Sequence, residues 1–211
     1  MGERVGGFAI DYLAWTVELG AVGEVVELIG FPVVELGHGR GGYSDCLLLG
    51  SCGGWAGWSP ERPERKAVFS FGGEACRQLE NREGFDWAFF FERLMIVFKA
   101  HVTRLDVCLD DRVGILPSVP AMWGYVQAGL LSTKCRVIRR FEDAFGEGGT
   151  MYIGREGGPA YMRIYDKAVK EGVEAPWIRV ELELRKPRSH RLVQELVVTP
   201  ADGWGDLFAG V

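Results

Sequence analysis

The stretch Arg104-Leu-Asp-Val-Cys-Leu-Asp-Asp111 alternates charged and apolar side chains, and Arg179-Val-Glu-Leu-Glu-Leu-Arg185 repeats the alternation further along the chain. Successive side chains of a β-strand point to opposite faces. Arg104, Asp106, Cys108 and Asp110 therefore share one face, opposite Leu105, Val107 and Leu109. In the second stretch Arg179, Glu181, Glu183 and Arg185 stand opposite Val180, Leu182 and Leu184. If the two strands are neighbours in one sheet, carboxylates and arginines meet on one surface, a costly arrangement unless a cation or a phosphate sits there. Between them lies Met162-Arg-Ile-Tyr-Asp-Lys167. In a regular strand over Ala160–Lys167, Tyr161, Arg163, Tyr165 and Lys167 share a face, so Arg163 and Lys167 flank the Tyr165 phenol, lower its pKa and can hold a phosphate there.

Working outward, the chain alternates short elements. Phe8–Val17, Val33–Leu36, Tyr43–Leu49, Lys66–Phe71, Val102–Asp110, Arg136–Phe141, Thr150–Gly154, Ala160–Lys167 and Trp177–Leu184 read as strands. Val22–Ile29, Phe85–Lys99, Pro120–Leu131 (capped by Ser118) and Arg188–Val197 read as helices. Gly, Pro and Trp crowd 51–63, which reads as a loop whose Trp55 and Trp58 either pack or stack on unpaired bases. Phe145–Thr150, Gly154–Gly158 and 166–176 read as turns. This order predicts an α+β fold, an antiparallel sheet core with helices on one face. The two halves share a rhythm of strand, helix, Gly-turned strands and helix, which suggests a pseudo-duplication with halves 1–100 and 101–200. We expect one domain over 1–200 and an irregular tail over 201–211.

With 211 residues, 47% hydrophobic and 12% aromatic, the chain can bury a sizeable core and does not read as disordered. No apolar run reaches the length of a membrane span, and the start lacks the layout of a secretory signal. Five cysteines without a Cys-x-x-Cys pair argue against a disulfide framework and against structural zinc. The expected location is the cytoplasm, with no membrane partner. Scarce Asn and Gln beside abundant Gly, Arg and Val fit a thermophilic or a GC-rich source equally. The net charge of −5 argues against a purely electrostatic nucleic-acid binder, yet charge is segregated. Lys134, Arg136, Arg139 and Arg140 form one basic cluster, and Arg185, Lys186, Arg188, His190 and Arg191 another.

Three strings in order, 102–111, 150–167 and 177–184, carry a resemblance. With a weaker match over Ser70–Leu79, they resemble the trans-acting plasmid and phage rolling-circle replication initiators, a family that includes relaxases of integrative conjugative elements. The resemblance implies an antiparallel-sheet core distantly related to His-hydrophobic-His endonucleases. It also implies a metal-dependent DNA strand transferase, an endonuclease whose tyrosine forms a 5′-phosphotyrosine at a rolling-circle origin. Tyr165 holds the family's nucleophile position, with Arg163 and Lys167 beside it; Tyr161 and Tyr152 are its rivals. His101 and His190 form no His-hydrophobic-His motif, so Asp106, Glu181, Asp110 and Glu183 are the expected ligands of Mg²⁺ or Mn²⁺. Arg104, Arg179, Lys134, Arg136, Arg139 and Arg140 are the expected DNA contacts. The partners implied are origin DNA (single-stranded, cruciform or duplex), a host helicase and a second copy of the chain.

The residues alone also admit plainer readings. A strand tyrosine can simply pack its ring, and alternating acids and arginines can be cross-strand ion pairs. A catalytically silent origin-DNA binder and a metal-dependent phosphoesterase keep the same pattern, and the role of Tyr165 separates all three.

Overall fold

A computed structural model describes residues 8–36, 38–142 and 149–198. The fold is mixed α+β, and the chain divides into two compact units. An N-terminal unit takes Ile10–Leu105 and the segment from Arg185, and a central unit takes Asp106–Leu184.

In the N-terminal unit the strands β1 (Phe8–Val17), β2 (Val33–Leu36), β3 (Asp45–Leu49), β4 (Gly54–Trp58) and β5 (Ala67–Gly72) lie in the order β2-β3-β4-β5-β1. Every pair along this order is antiparallel. Helices α1 (Val22–Ile29), α2 (Gly73–Glu80) and α3 (Trp87–Glu92) belong to the same unit. Its core is aromatic. Trp15 is fully buried and stacks on Phe69 at 5.1 Å, with Phe71 and the edge of Phe90 against it. Each such ring contributes roughly 1.5–3 kcal/mol by leaving water. The side chain of Asp86 caps α3 by accepting from the backbone N–H of Phe89 at 2.8 Å.

Two expectations fail here for backbone reasons. The segment 51–63 is not wholly a loop, because β4 runs through it between β3 and β5. Its glycines are what the pairing needs: a Cβ on Gly54 would lie 2.9 Å from the Leu49 carbonyl oxygen. Nor is 85–99 one regular helix, since α3 gives way to a π-helical turn over Arg93–Val97.

In the central unit β6 (His101–Asp111), which enters from the other unit, is followed in sheet order by β10 (Ile178–Arg185), β9 (Ala160–Asp166), β8 (Gly149–Gly154) and β7 (Ile138–Glu142). The pairs β10–β9, β9–β8 and β8–β7 are antiparallel. Helix α4 (Val119–Gln127) starts at Ser118, whose hydroxyl accepts from the Ala121 N–H, with Pro120 in the first turn. Its Val119 packs with Met151, Ile153, Ile164 and Ile178, flanked by Met122, Trp123 and Val126. The apolar alternate residues of the strands thus face α4, which leaves the polar alternates on the other face. Asp111 anchors the following loop by accepting from the N–H groups of Val113, Gly114 and Leu116, bonds that hold its carboxyl below the usual range against the upward push of burial.

The expected strand to Lys167 ends at Asp166. The expected turn over 166–176 opens with a short helix, α5 (Lys167–Glu171), whose Asp166 cap accepts from the Val169 N–H. Helix α6 (Arg188–Val198) closes the described chain. Most of the 145–150 turn and the 201–211 tail lie outside the described residues.

Candidate active site on the central sheet

Strand register fixes which polar side chains meet. Opposite Tyr165 on β9 stand Thr150 on β8 and Arg179 on β10; opposite Arg163 stand Tyr152 and Glu181; opposite Tyr161 stand Gly154 and Glu183. Successive rows on one face are two residues, about 6.8 Å, apart along the strands.

The middle row centres on Arg163. Its guanidinium lies 3.4 Å from Asp106 Oδ2, 3.2 Å from Glu181 Oε2 and 4.0 Å from Glu183 Oε2. The contact to Glu181 is an ion pair without hydrogen-bond alignment, since Arg163 Nε makes no hydrogen bond. Asp106, Glu181 and Glu183 are all buried, at 2%, 7% and 4% exposure. Burying three carboxylates is costly, so the arginine at their centre is structurally required. Cys108, on the same alternation, is buried and forms no disulfide.

In the next row Arg179 donates to Asp110 in a bidentate pair, Nε to Oδ1 at 2.7 Å and Nη2 to Oδ2 at 2.6 Å. Burial pushes the Asp110 carboxyl up, but the Arg179 bonds and charge prevail and hold its pKa below the ordinary 3.8. The folded state therefore gains stability from this carboxylate above the ordinary carboxyl pKa, and loses it as pH falls through the lowered one. Asp110→Asn is expected to lower stability by about 2 kcal/mol at pH 7. The gap from wild type should hold from pH 7 to about pH 5 and narrow only below the ordinary carboxyl pKa of 3.8, as urea midpoints are taken down to about pH 2; a gap unchanged between about pH 5 and pH 2 would refute the pair's role.

Tyr165 is half-buried in this row, with Lys170 Nζ 5.4 Å from its ring centre. The rival Tyr161 is buried and stacks on Tyr152 at 5.6 Å. Burial, then the neighbouring Tyr152, raises the pKa of Tyr161. Tyr152 also meets the edge of Phe141.

The expected cationic residues are distributed unevenly. Because the strand ends early, Lys167 leaves the row of Tyr161, Arg163 and Tyr165; its Nζ lies 4.8 Å from the Trp177 ring and 3.9 Å from Glu171. Arg163 serves the carboxylates, and Lys170 takes the place beside the phenol that Lys167 was expected to hold. Arg179 is buried and committed to Asp110, while Arg104 falls in the N-terminal unit over the Tyr12 ring. Lys134, Arg136 and Arg139 are exposed, but Arg140 is paired with Glu142 at 2.5 Å. Alternation on β7 sends Arg139 and Arg140 to opposite faces, so these four do not form one patch. The sequence reading missed Trp177, whose ring carries the Arg112 guanidinium at 3.6 Å. An aromatic just before a strand gives no signal of this; the Lys-rich α5 that Trp177 helps to seat was foreshadowed by Asp166 and Gly172 at its ends.

The oxygen donors of Asp106, Glu181 and Glu183 are those that Mg²⁺ or Mn²⁺ takes, so the donor chemistry fits a hard divalent cation. As placed, the three engage Arg163, and among the described residues no three acidic, His or Cys side chains stand as a ready metal cage. A cation held there would share the carboxylates with Arg163. The face thus combines a phenol, cationic side chains suited to phosphate, and a group of hard carboxylates.

Comparison with known proteins supplies a context for this face. A model of replication initiation factors matches residues 100–206, which span β6 to α6 and every residue of the three rows. No curated protein matches the chain. The solved structure of a rolling circle replication initiator protein from Geobacillus stearothermophilus is similar in fold, with a TM-score of 0.80 and 23% identity, over 91% of this chain and 80% of that one. No described helix is long and apolar enough to cross a membrane.

Proposed function

The chain belongs to the replication initiation factor family, and from that membership we propose that it is a rolling-circle initiator that nicks and rejoins origin DNA through Tyr165. The observation that carries the proposal is the half-buried Tyr165, one row from Arg163 and the buried carboxylates it gathers and beneath Lys170, inside the segment that matches the family.

In the proposed reaction the phenolic oxygen of Tyr165 attacks the phosphorus of a scissile phosphodiester. The bond to the 3′-oxygen breaks as the bond to tyrosine forms. The phenol gives up its proton, the leaving 3′-oxygen takes one up, and the products are a 5′-phosphotyrosine and a 3′-hydroxyl. The reverse step rejoins the strand. Lys170, over the Tyr165 ring, favours the phenolate and the approaching phosphate. Arg163 keeps Asp106, Glu181 and Glu183 gathered and oriented. These three would hold Mg²⁺ or Mn²⁺, which when bound offsets charge on the phosphate. Tyr161 is disfavoured as nucleophile because its stacked, buried phenol resists ionisation.

The test uses labelled single-stranded origin DNA with Mg²⁺ or Mn²⁺, run on a denaturing gel. A DNA-linked protein band that chelator removes is expected. Binding without that band would favour a silent origin binder, and cleavage without it a phosphoesterase.

A further inference from the structure

The N-terminal unit carries two cavities, of about 480 Å³ and 400 Å³, that share Lys186 in their walls. Lys66, Lys99, His101 and His190 line the first; Tyr12, Arg104 and Arg185 line the second. No described acid lines either one. In a chain of net charge −5, this segregation sets the groove apart from the rest of the surface. Glu18 touches its margin by pairing with Lys66 at 2.7 Å, but both side chains are largely exposed and the pair is weak.

The groove is a built feature rather than a chance scatter of lysines. The backbone of Lys99 turns left-handed, with φ +49°, where the π-helical turn over Arg93–Val97 ends and the Ala100 N–H donates to the Leu94 carbonyl at 2.8 Å, so a defined helix stop places this lysine at the groove. His190 Nδ1 accepts from the backbone N–H of Val102 at 3.3 Å, which leaves Nε2–H as a donor. Its ring lies 4.1 Å from that of His101. Burial lowers the pKa of both imidazoles, so they offer polar N–H groups without adding repulsion. In the second cavity Arg104 lies 4.1 Å over the Tyr12 ring, whose hydroxyl is fixed by a 2.6 Å hydrogen bond with Ser70. Tyr12, Ala14 and Thr16, alternate residues of β1, run along both cavities. That floor is about 13 Å long, too long for one small anion and long enough for successive phosphates.

We propose that this groove binds the phosphodiester backbone of a DNA strand through Lys66, Lys99 and Lys186, residues outside the three rows of the Tyr165 face. The choice of DNA rests on the initiator reading; the anionic, extended character of the ligand rests on the groove itself. Lys66, Lys99 and Lys186 act as phosphate contacts, and Arg104 on Tyr12 offers a surface for a sugar or base.

The test is a salt titration of binding to a fluorescein-labelled oligothymidylate, made without divalent cation and in the Tyr165→Phe background, so that failure of the nicking chemistry leaves the readout intact. Lys99→Gln with Lys186→Gln is expected to reduce the slope of log affinity against log salt by about 1.4, at about 0.7 per lost single-strand contact, and to weaken binding about tenfold at low salt. Lys66→Gln, an exposed change that does not threaten folding, is expected to lower the slope by about 0.7. Unchanged slopes in both variants would overturn the proposal. So would inorganic phosphate saturating the groove while the DNA slope stays at its wild-type value, since the site would then serve a small anion.

Discussion

Tyr165→Phe is expected to abolish the covalent protein–DNA product and to lower strand cleavage by about a thousandfold or more, because it removes the attacking oxygen and nothing else. The phenyl ring keeps its place beneath Lys170, so stability should stay within about 0.5 kcal/mol of wild type. Tyr161→Phe should keep the covalent product, since that ring is stacked on Tyr152 and its hydroxyl is held protonated by burial. Retention of the product in Tyr165→Phe together with its loss in Tyr161→Phe would move the chemistry two rows along the sheet. Denaturing gels of both variants, with thermal melts to confirm folding, read the difference directly.

Arg163→Ala is expected to be the most destabilising single change on the sheet face. It leaves Asp106, Glu181 and Glu183 buried without the guanidinium they share, and breaking a buried ion cluster from one side costs about 3 kcal/mol, here with Arg163 itself a quarter exposed. For a chain of this size that corresponds to a fall in Tm of roughly 6–12 °C. Arg163→Lys should recover only part of the loss, since an ammonium cannot reach three carboxylates as a planar fork does. If the carboxylates are also the cation ligands, Mg²⁺ or Mn²⁺ should raise the Tm of Arg163→Ala more than that of wild type, and chelator should reverse the gain. A Tm within 2 °C of wild type would refute the structural role given to Arg163.

Much of the fold was legible because its signals are local. The alternation in 104–111 and 179–185 gave both acidic strands, and the Ser118–Pro120 cap gave the start of α4. β4 was not legible, because its glycines answer to a close approach of β3 and β5 that no window of sequence contains. The candidate site was legible in its membership and not in its wiring. Alternation placed Tyr165, Arg163, Asp106, Glu181 and Glu183 on shared faces. It could not tell that Arg163 would turn to the carboxylates rather than to the phenol, since that depends on which strand lies next to which. Lys167 was misplaced by a strand ending one residue early, although Asp166 is a good cap and Gly172, with φ +65°, a good stop for the helix that follows. The groove around Lys186 gathers residues from β1, β6 and the start of the last segment, a meeting that only tertiary structure reveals.

The central claim, that Tyr165 takes the DNA strand, is tested most directly by trapping the product on origin oligonucleotide, digesting the protein and nuclease-trimming the DNA, and sequencing the modified peptide by mass spectrometry. The account predicts a nucleotide phosphate on Tyr165, within the peptide that ends at Lys167. The same mass on Tyr161 or Tyr152, or no modified tyrosine under conditions where the strand is cut, would contradict it.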